Sequence, residues 1–433
     1  MNFESIAGEI PGPRSRALAA SLATTETRGV TYLADDFPVF WAWAEGATVT
    51  DVDGNRYLDL TSAFGVAVAG HANPAVTRAI ASQAARLPHG MGDVHPSDVK
   101  VALLEKLSEI VPVDEPRTFL CSSGAESVEF ALKTALLATG KPNILAFNGA
   151  YHGLSYGTLE IGGIEKFREP WRRQLRNTTT LVDFPNRRSP ASAERALTAI
   201  ANALRADPAI GAVVAEPLQG RAGIIVPPDG FLHGLRALCD EHDVLLILDE
   251  IYTGFGRTGT LFACEREGVR PDMLCLGKAL AGGFPISATV VRRGVAEAWE
   301  PSRGEALHTS TYLGNPMGCA AALANIAEIE RLDLPARARA CEPEFERRLE
   351  ELRGAHSHIV DVRGRGALWG VEFKDGAAAA GCAVRALQTG VIVLQSGLRG
   401  ETLTLAPPLV IEPVQLGRAL DLLCAAAREA VPA

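Results

Sequence analysis

The central part of the chain, from about residue 70 to about residue 315, alternates between amphipathic stretches and short apolar runs. Stretches such as SDVKVALLEKLSEI and ESVEFALKTALLA have helical spacing, and the apolar runs between the helical stretches are TFLC, NILAF, IGAVVAE, VLLILDE and DMLCLG. Strands that are apolar along their whole length are typical of a parallel sheet covered by helices on both faces. The pattern therefore predicts an α/β domain with a mostly parallel sheet between helices.

The two ends of the chain have a different pattern. After an extended or partly helical arm of about 30 residues, TVTDVDG and NRYLDL predict two short strands around Asp53-Gly54, a dipeptide that favours a hairpin. Past Pro316 the chain is helical to about residue 353. The runs GALWGVEF, VIVLQ and TLTLAPPLVI then predict strands, before the closing helix LGRALDLLCAAAREA.

These changes of pattern divide the chain into three parts, and the length of 433 residues is compatible with two or three domains. Residues 70–318 are predicted to form the large domain. Residues 1–69 and 319–433 are predicted to pack together as a smaller α+β domain, to which both termini contribute.

The composition excludes several classes of protein. With 47% hydrophobic and 21% charged residues the chain is typical of a globular enzyme. A formal charge of -9 gives no basic surface for nucleic acid or an anionic membrane. No charge-free apolar run reaches the roughly 18 to 20 residues that a membrane helix needs. We therefore expect a small-molecule partner, no nucleic acid and no membrane.

Cysteine use and the N-terminal sequence bear on location and metal content. The eight cysteines are scattered without C-x-x-C pairs or histidines at ligand spacing, which favours reduced core thiols over disulfides or a metal site. Glu4 and Glu9 stand where an export signal needs an unbroken apolar run. We expect a cytoplasmic protein without a bound metal.

A single lysine stands in the apolar run MLCLGKALAGGFPISATVV. Lys278 is the only charged residue between Asp272 and Arg292. Burial of an ammonium group is costly and lowers its pKa toward a neutral, nucleophilic amine, which is what a Schiff-base lysine requires. The alternative is a lysine whose stem is buried and whose head reaches solvent, and composition leaves both open.

The acidic residue Asp249 closes the apolar run VLLILD, and Glu250 and GFGRTG follow closely. In open parallel sheets ligands bind beyond the carboxyl ends of the strands, so Asp249 is placed to meet one. A carboxylate there would keep a pyridine nitrogen protonated. The competing interpretation, a magnesium-holding acid of a nucleotide hydrolase, needs a G-x-x-x-x-G-K-[ST] motif that this chain lacks. A purely structural aspartate stays open.

The third feature is the junction between a predicted strand and a predicted helix in FLCSSGAESVEFALK. Free N–H groups at the helix start, with the Ser123 hydroxyl and the small residues Gly124 and Ala125, suit a phosphate. The same residues also fit an ordinary helix cap. Together, the three features supply a phosphate cradle, a pyridinium partner and an imine-forming lysine in one α/β domain.

Motifs along essentially the whole chain resemble those of the class III (ω-) aminotransferases, which are fold type I pyridoxal-phosphate enzymes. The resemblance implies an α/β large domain, a smaller α+β domain from both termini, pyridoxal 5'-phosphate as cofactor and a homodimer with shared active sites. The matching segments follow the family's order: DVDGNRYLDL, SSGAESVEFALK, AFNGAYHG, AEPLQG, LLILDEIYTGFGRTG, PDMLCLGKALAGGFPISA, STYLGNP, VRGRGALWGVEF and APPLVI.

The resemblance also implies roles for the residues of the three features. Lys278 would hold the cofactor as an imine and carry the proton. Asp249 would be the partner of the pyridine nitrogen. Ser123, Gly124 and Ala125 would bind the phosphate group.

Further contacts to the cofactor are implied by the resemblance alone. Tyr151 would stack on the ring, with His152 beside it, and Glu216 would support the site from nearby. Tyr252 occupies a position where a Gln often contacts the phenolic oxygen of the cofactor. Thr311 would reach the phosphate bound by a neighbouring subunit, which implies the homodimer.

Besides Tyr252, three positions depart from the pattern of related subgroups. Many relatives that handle ornithine or related diamines have a Glu soon after EP-x-Q-G and an Arg in the strand before APPL, where this chain has Arg221 and Thr404. We hypothesise that Arg221 binds a substrate carboxylate through two parallel hydrogen bonds, the alternative being a solvated loop arginine. Leu154 stands where acetylornithine-type relatives carry an Arg for the α-carboxylate.

Aromatic residues of the N-terminal segment are candidates for the wall of the substrate pocket. Trp43 and Phe64 are the two that we select, with Trp41 as a further candidate. A place in the core is the alternative for each of them.

These features predict ping-pong transamination, in which an amino acid or terminal amine gives its amino group to a 2-oxo acid or aldehyde. Racemases, aminomutases and decarboxylases use the same apparatus and stay open as alternatives. A silent relative acting as a binding protein is disfavoured by the presence of both Lys278 and Asp249. A dehydrogenase would need a G-x-G-x-x-G after an early strand, which is absent.

Overall fold

The computed structural model describes residues 3–429, which form three β-sheets and the helices around them. The strands are β1 (Trp41–Glu45), β2 (Thr48–Asp51), β3 (Arg56–Asp59), β4 (Pro116–Cys121), β5 (Asn143–Phe147), β6 (Thr179–Val182), β7 (Ile210–Ala215), β8 (Leu245–Asp249), β9 (Met273–Leu276), β10 (Ser287–Arg292), β11 (Ile359–Arg365), β12 (Leu368–Phe373), β13 (Val391–Ile392), β14 (Leu394–Ser396) and β15 (Thr402–Leu405). The α-helices are α1 (Pro13–Thr25), α2 (Ser62–Gly65), α3 (Pro74–Arg86), α4 (Asp98–Ile110), α5 (Gly124–Thr139), α6 (Tyr156–Ile161), α7 (Glu165–Arg168), α8 (Ala191–Ala206), α9 (Phe231–Glu241), α10 (Arg293–Ala296), α11 (Pro316–Arg331), α12 (Leu334–Ala355), α13 (Gly376–Gln388) and α14 (Pro413–Glu429).

The largest sheet has seven strands in the order β4-β10-β9-β8-β7-β5-β6. The strands β5 to β9 pair in parallel, whereas β10 is antiparallel to both of its neighbours. A mostly parallel sheet between helices is what the alternation of apolar runs and amphipathic stretches predicts, and that prediction is confirmed.

Both faces of this sheet are buried, which explains why its strands are apolar along their whole length. In β7, Ala212 and Val214 belong to the apolar cluster that includes α5. Val213 and Ala215 belong to the cluster on the opposite face, which includes residues of α8 and α9. Successive side chains therefore enter different halves of the core.

The termini meet in a second sheet, with the order β1-β2-β3-β13. The predicted hairpin is present as the antiparallel pair β2 and β3, with Gly54 at a φ of 90° in the turn. Strand β13 runs parallel to β3, and Leu58 donates its N–H to the carbonyl of Gly390 at 2.8 Å. This pairing supports the predicted division into residues 1–69, 70–318 and 319–433, which stays a prediction.

A third, antiparallel sheet has the order β11-β12-β15-β14 and is covered by helices of the C-terminal part. Two strand predictions differ from the structure here. The run VIVLQ forms two short strands in different sheets, β13 beside β3 and β14 beside β15. The run TLTLAPPLVI is a strand only as far as Leu405, because Pro407 and Pro408 have no N–H to donate to a sheet.

Six of the seven strands of the large sheet, all except β10, bring their carboxyl ends to the same edge. Chain segments that carry the predicted site residues follow β4, β5, β7, β8 and β9 at this edge. Ligands of open α/β sheets bind at such an edge. Within residues 3–429, each helix is too short or too polar to span a bilayer.

Candidate active site

A cavity of about 530 Å³ lies where these segments meet Phe64, Thr404 and strand β14, within the usual size range of small-molecule sites. One wall comes from the edge of the large sheet, and its side chains include Tyr151, His152, Glu216, Asp249 and Lys278. Phe64, Thr404 and the residues of β14 also line the cavity.

The carboxylate of Asp249, the last residue of β8, is held by two donors. His152 Nδ1 donates to Oδ2 at 2.7 Å, and the N–H of Ile251 donates to Oδ1 at 3.0 Å. Burial by itself lowers the pKa of His152, but the hydrogen bond and charge of Asp249, together with the charge of Glu216, outweigh it and leave this pKa raised. The hydrogen bond from His152 fixes the orientation of the Asp249 carboxylate.

A second acid, Glu216, follows β7 and is almost completely buried. Its carboxylate accepts the N–H groups of Tyr151 at 3.1 Å and Gly220 at 2.9 Å. Burial raises the pKa of Glu216 to about 7; the charge of His152 lowers it and that of Asp249 raises it further. Glu216 therefore gains or loses a proton near neutral pH, while its hydrogen bonds join two loops of the cavity.

The lysine is placed as its apolar surroundings predict. Lys278 opens a turn of 3-10 helix two residues after β9, and its side chain is partly exposed to the cavity. Burial lowers the pKa of Lys278, and the charges of Asp249 and Glu216 oppose that shift only in part. Its φ of 38° is in the left-handed region, which costs a non-glycine residue energy and is over-represented at active sites.

An aromatic ring covers the amine of Lys278. The Nζ atom lies 4.9 Å from the centre of the Tyr252 ring. That ring is enclosed by two glycines, because a Cβ on Gly65 would lie 2.5 Å from it and a Cβ on Gly220 would lie 2.4 Å from it. Burial raises the pKa of the Tyr252 hydroxyl to about 12, so the group remains protonated at neutral pH.

The start of helix α5 has the form of an anion cradle. Ser123 caps the helix, and Glu126 accepts the N–H groups of Ser122 and Ser123 in a capping box. The N–H groups of Gly124 and Ala125, in the first turn, have no intrahelical acceptor. A Cβ on Gly124 would lie 2.8 Å from Ile251, so only glycine leaves room beside the helix start.

The residues present fit pyridoxal phosphate. The cavity contains a helix start with free N–H groups for a phosphate, a buried carboxylate for a pyridine nitrogen, and a lysine with a lowered pKa for an aldehyde. Within the described chain, the buried Nε2 atom of His152 has no hydrogen-bond partner. No group of three or more potential metal ligands occurs in residues 3–429.

The structure brings most of the residues selected from the sequence to this cavity and leaves others outside. Of the substrate candidates, Arg221 and Phe64 line it, as do the departures Thr404 and Leu154. In the described chain, Trp43 is 69% exposed and lies outside the cavity.

Two candidates for phosphate contacts also lie outside the set of cavity-lining residues. Thr311 is an exposed loop residue. Ser123 contributes as the cap of α5, with its side chain hydrogen-bonded to the N–H of Glu126.

Sequence patterns did not reveal several residues of the cavity. Phe167 of α7 and the three residues of β14 line it. The split of VIVLQ between two sheets turns β14 toward the cavity, and no period in the sequence indicates it. The aromatic residue in IEKFREPW is the one signal that draws attention to Phe167.

Comparisons with known proteins agree with this site. The family model described as Aminotransferase class-III matches residues 32–426. The acetylornithine aminotransferase of Methanopyrus kandleri is 39% identical over 90% of this chain and 95% of its own length. The 4-aminobutyrate aminotransferase of Mycobacterium leprae is 39% identical over 96% of each chain.

A solved structure adds the cofactor to this comparison. An amine transaminase from an uncultivated Pseudomonas species, determined in its PLP-bound form, is 30% identical with a TM-score of 0.88, and the match covers 94% of this chain and 99% of that one. The chain described here therefore belongs to the class III aminotransferases, which are pyridoxal-phosphate-dependent enzymes.

Proposed function

We propose that Lys278 holds pyridoxal phosphate and carries the proton of a ping-pong transamination. The donor is an amino acid or a terminal amine, and the acceptor is a 2-oxo acid or an aldehyde. The observation that carries the proposal is a lysine with a lowered pKa that shares one cavity with the His152-supported carboxylate of Asp249. A neutral amine is both a nucleophile and a base, so Lys278 can bind the cofactor aldehyde and can also carry the proton.

The other residues of the cavity bind and orient the cofactor. When bound, the cofactor supplies an aldehyde that condenses with amines and a ring that accepts electrons. Asp249 keeps a proton at the ring nitrogen, and the N–H groups of Gly124 and Ala125 hold the phosphate. Tyr151 provides an aromatic face for the ring.

Arg221 is proposed as the group that binds a substrate carboxylate. Its guanidinium lies at the cavity, where Nη1 donates to the carbonyl of Gln395 at 3.4 Å. That contact is long and leaves most of the donors of the guanidinium available for two parallel hydrogen bonds to a carboxylate.

The assembly and location belong to the same proposal. We infer a homodimer in which Thr311 reaches the phosphate site of the partner subunit, which its exposure outside its own cavity supports. A cytoplasmic location is supported by eight free cysteines, six of which are buried. Sedimentation of the purified protein and fractionation of cells test these two points.

A half-reaction tests the proposed chemistry. The purified holoenzyme is mixed with an amino donor alone, and the visible absorbance of the bound cofactor is followed. Transamination predicts that the absorbance disappears, stays low, and returns when an oxo acid is added, with one carbonyl product released per site. Absorbance that persists while the donor changes its handedness would identify a racemase, and release of carbon dioxide would identify a decarboxylase.

A further inference from the structure

The charges around the cavity are unevenly distributed. Within the described chain, the basic residues that line the cavity are His152, Lys278 and Arg221. His152 pairs with Asp249, and Lys278 is the proposed cofactor amine. Arg221 is therefore the one cation of this lining that remains for a substrate.

The surroundings of Arg221 leave it available. Its Cζ atom lies 6.0 Å from the centre of the Phe167 ring, and its carbonyl accepts the N–H of Gly397 at 3.0 Å, which anchors the backbone. In residues 3–429 no carboxylate lies within ion-pair distance of its guanidinium. Arg221 is exposed, and a cation at the mouth of a cavity without an anionic partner is suited to an anionic ligand.

The remainder of the substrate-side wall is apolar or neutral. Phe64, Leu154 and Leu394 present carbon surfaces, and the polar groups beside them carry no charge. The hydroxyls of Ser396 and Thr404 lie 2.6 Å apart and satisfy each other, and both residues are 2% exposed. Phe64 and Leu154 are more than half exposed, so a second carboxylate in this region would lose part of its water, and it would gain no cation in return.

We propose that the enzyme selects oxo acids and amino acids with a single carboxylate, bound by Arg221, and an apolar remainder that lies against Phe64, Leu154 and Leu394. Dicarboxylates such as 2-oxoglutarate are poor substrates of this site. The inference rests on the proposed transamination and adds the chemical class of the substrate. Its basis is that Arg221 is the one cation left for a substrate and that the lining residues beside it are apolar or neutral.

Acceptor half-reactions test the selection. The holoenzyme is first converted to its amino form with a donor, and the return of the visible absorbance is then timed with pyruvate, 2-oxohexanoate and 2-oxoglutarate. The rate constant per concentration is expected to be at least about tenfold higher for 2-oxohexanoate than for 2-oxoglutarate, because the second carboxylate of 2-oxoglutarate would be left without a charged partner. Equal rates, or a preference for 2-oxoglutarate, would overturn the inference.

Two variants test the role of Arg221 and the role of the neutral wall independently. Arg221→Gln is expected to lower the rate constants of all three oxo acids at least about tenfold. Arg205 is an exposed arginine of α8, and the control variant Arg205→Gln is expected to leave these rate constants unchanged. Thr404→Arg adds a second cation and is expected to narrow the difference between 2-oxohexanoate and 2-oxoglutarate. Loss of only the 2-oxoglutarate reaction in Arg221→Gln would contradict the assignment.

Binding of inert acids gives a readout apart from turnover and does not depend on the folding of a variant. Calorimetry on the wild-type holoenzyme compares hexanoate with glutarate, and the inference predicts tighter binding of hexanoate. Tighter binding of glutarate would overturn it. Failure of every amino donor in the first half-reaction counts against the proposed function, whereas working donors with a preference for 2-oxoglutarate count against this inference alone.

Discussion

His152 donates its Nδ1–H to the carboxylate of Asp249 at 2.7 Å, and both side chains are almost completely buried in the wall of the cavity. The pair gives Asp249 an oriented hydrogen-bond donor that does not depend on a ligand. A pyridine nitrogen placed at this carboxylate would therefore meet a charge that is already oriented. We expect orientation of this kind to matter more for rate than for folding.

Asp249→Asn tests that expectation, because it keeps the shape of the side chain and removes its charge. We expect kcat/KM to fall by at least about a hundredfold, the usual effect of removing one preorganised electrostatic contact. The visible spectrum of the bound cofactor should also change, since its ring nitrogen would lose the partner that keeps it protonated.

The neighbouring Glu250 provides the matched control. It is fully buried and accepts N–H groups of Ala263 and Cys264, both at 2.8 Å, and the hydroxyl of Thr253 at 2.7 Å. Glu250→Gln should mainly lower the melting temperature. An Asn at 249 that retains full activity would show that Asp249 is structural.

A second prediction concerns the ring of Tyr252 and the glycine beside it. A Cβ on Gly220 would lie 2.4 Å from this ring, and the φ of Gly220 is not in the left-handed region. Gly220→Ala should therefore act by displacing Tyr252, with a loss of stability of about 1–3 kcal/mol from overpacking. Chemical denaturation measures it.

A double-mutant cycle identifies the cause of that loss. In a Tyr252→Ala background the added methyl has space, so Gly220→Ala should cost much less there, with a coupling of about 0.5–3 kcal/mol. Equal costs in both backgrounds would mean that the methyl clashes with something other than the ring.

The pH at which Lys278 becomes reactive should depend on Glu216. Burial lowers the pKa of Lys278, whereas the negative charges of Asp249 and Glu216 raise it. Glu216→Gln removes one of these charges and must lower the pKa of Lys278 further. The association rate of pyridoxal phosphate with cofactor-free enzyme, which needs the neutral amine, should then rise at a lower pH than in the wild type.

Glu216→Gln never raises the pKa of Lys278, but the size of its effect depends on pH. The pKa of Glu216 is raised to about 7, so the carboxyl is neutral in the wild type below that pH. The two proteins should therefore differ above pH 7 and converge below it. A shift of the variant's profile to higher pH would contradict the charge interaction.

The turn that carries Phe64 to the cavity is strained. Ser62, Ala63 and Phe64 all have φ between 48° and 64°, and the Ser62 hydroxyl donates to the carbonyl of Ala406 at 2.6 Å while accepting Arg257 Nη2 at 3.1 Å. Ala63→Gly should raise the free energy of unfolding by up to about 1 kcal/mol, because glycine adopts this conformation without a Cβ penalty.

Ala81, an exposed residue in the middle of α3, is the control for the turn. Ala81→Gly should lower the free energy of unfolding by about 1 kcal/mol, the ordinary cost of a glycine in a helix. If both substitutions destabilise the protein equally, the turn stores no strain that glycine relieves. Thermal and denaturant unfolding of both variants decide between these outcomes.

Much of the large domain could be predicted because its strands are buried on both faces. Such strands are continuous apolar runs, and the helices between them keep their own period. Strand β10 shows the limit of this approach, because an antiparallel strand buried on both faces has the same apolar composition as a parallel one. The direction of β10 follows from its short connection to β9, and the composition of the strand itself does not indicate it.

The site could be predicted to different depths for different residues. Lys278 stands out in the sequence because it is the only charge in a long apolar run, and Asp249 because it ends an apolar strand. The wall formed by Leu394 and Ser396 depends on contacts between distant segments, and the pKa of Glu216 depends on burial. No local pattern in the sequence indicates the position of this wall or the burial of Glu216.

The central claim is that the amine of Lys278 holds the cofactor. Reduction of the holoenzyme with borohydride fixes the cofactor to its lysine, and peptide mapping by mass spectrometry then locates it. We predict that the modified peptide contains Lys278, and that Lys278→Ala yields no modified peptide whereas Lys141→Ala, which removes a surface lysine near Asp243, does. A modified lysine at any other position, or a Lys278→Ala protein that retains reducible cofactor and full activity, would contradict the account.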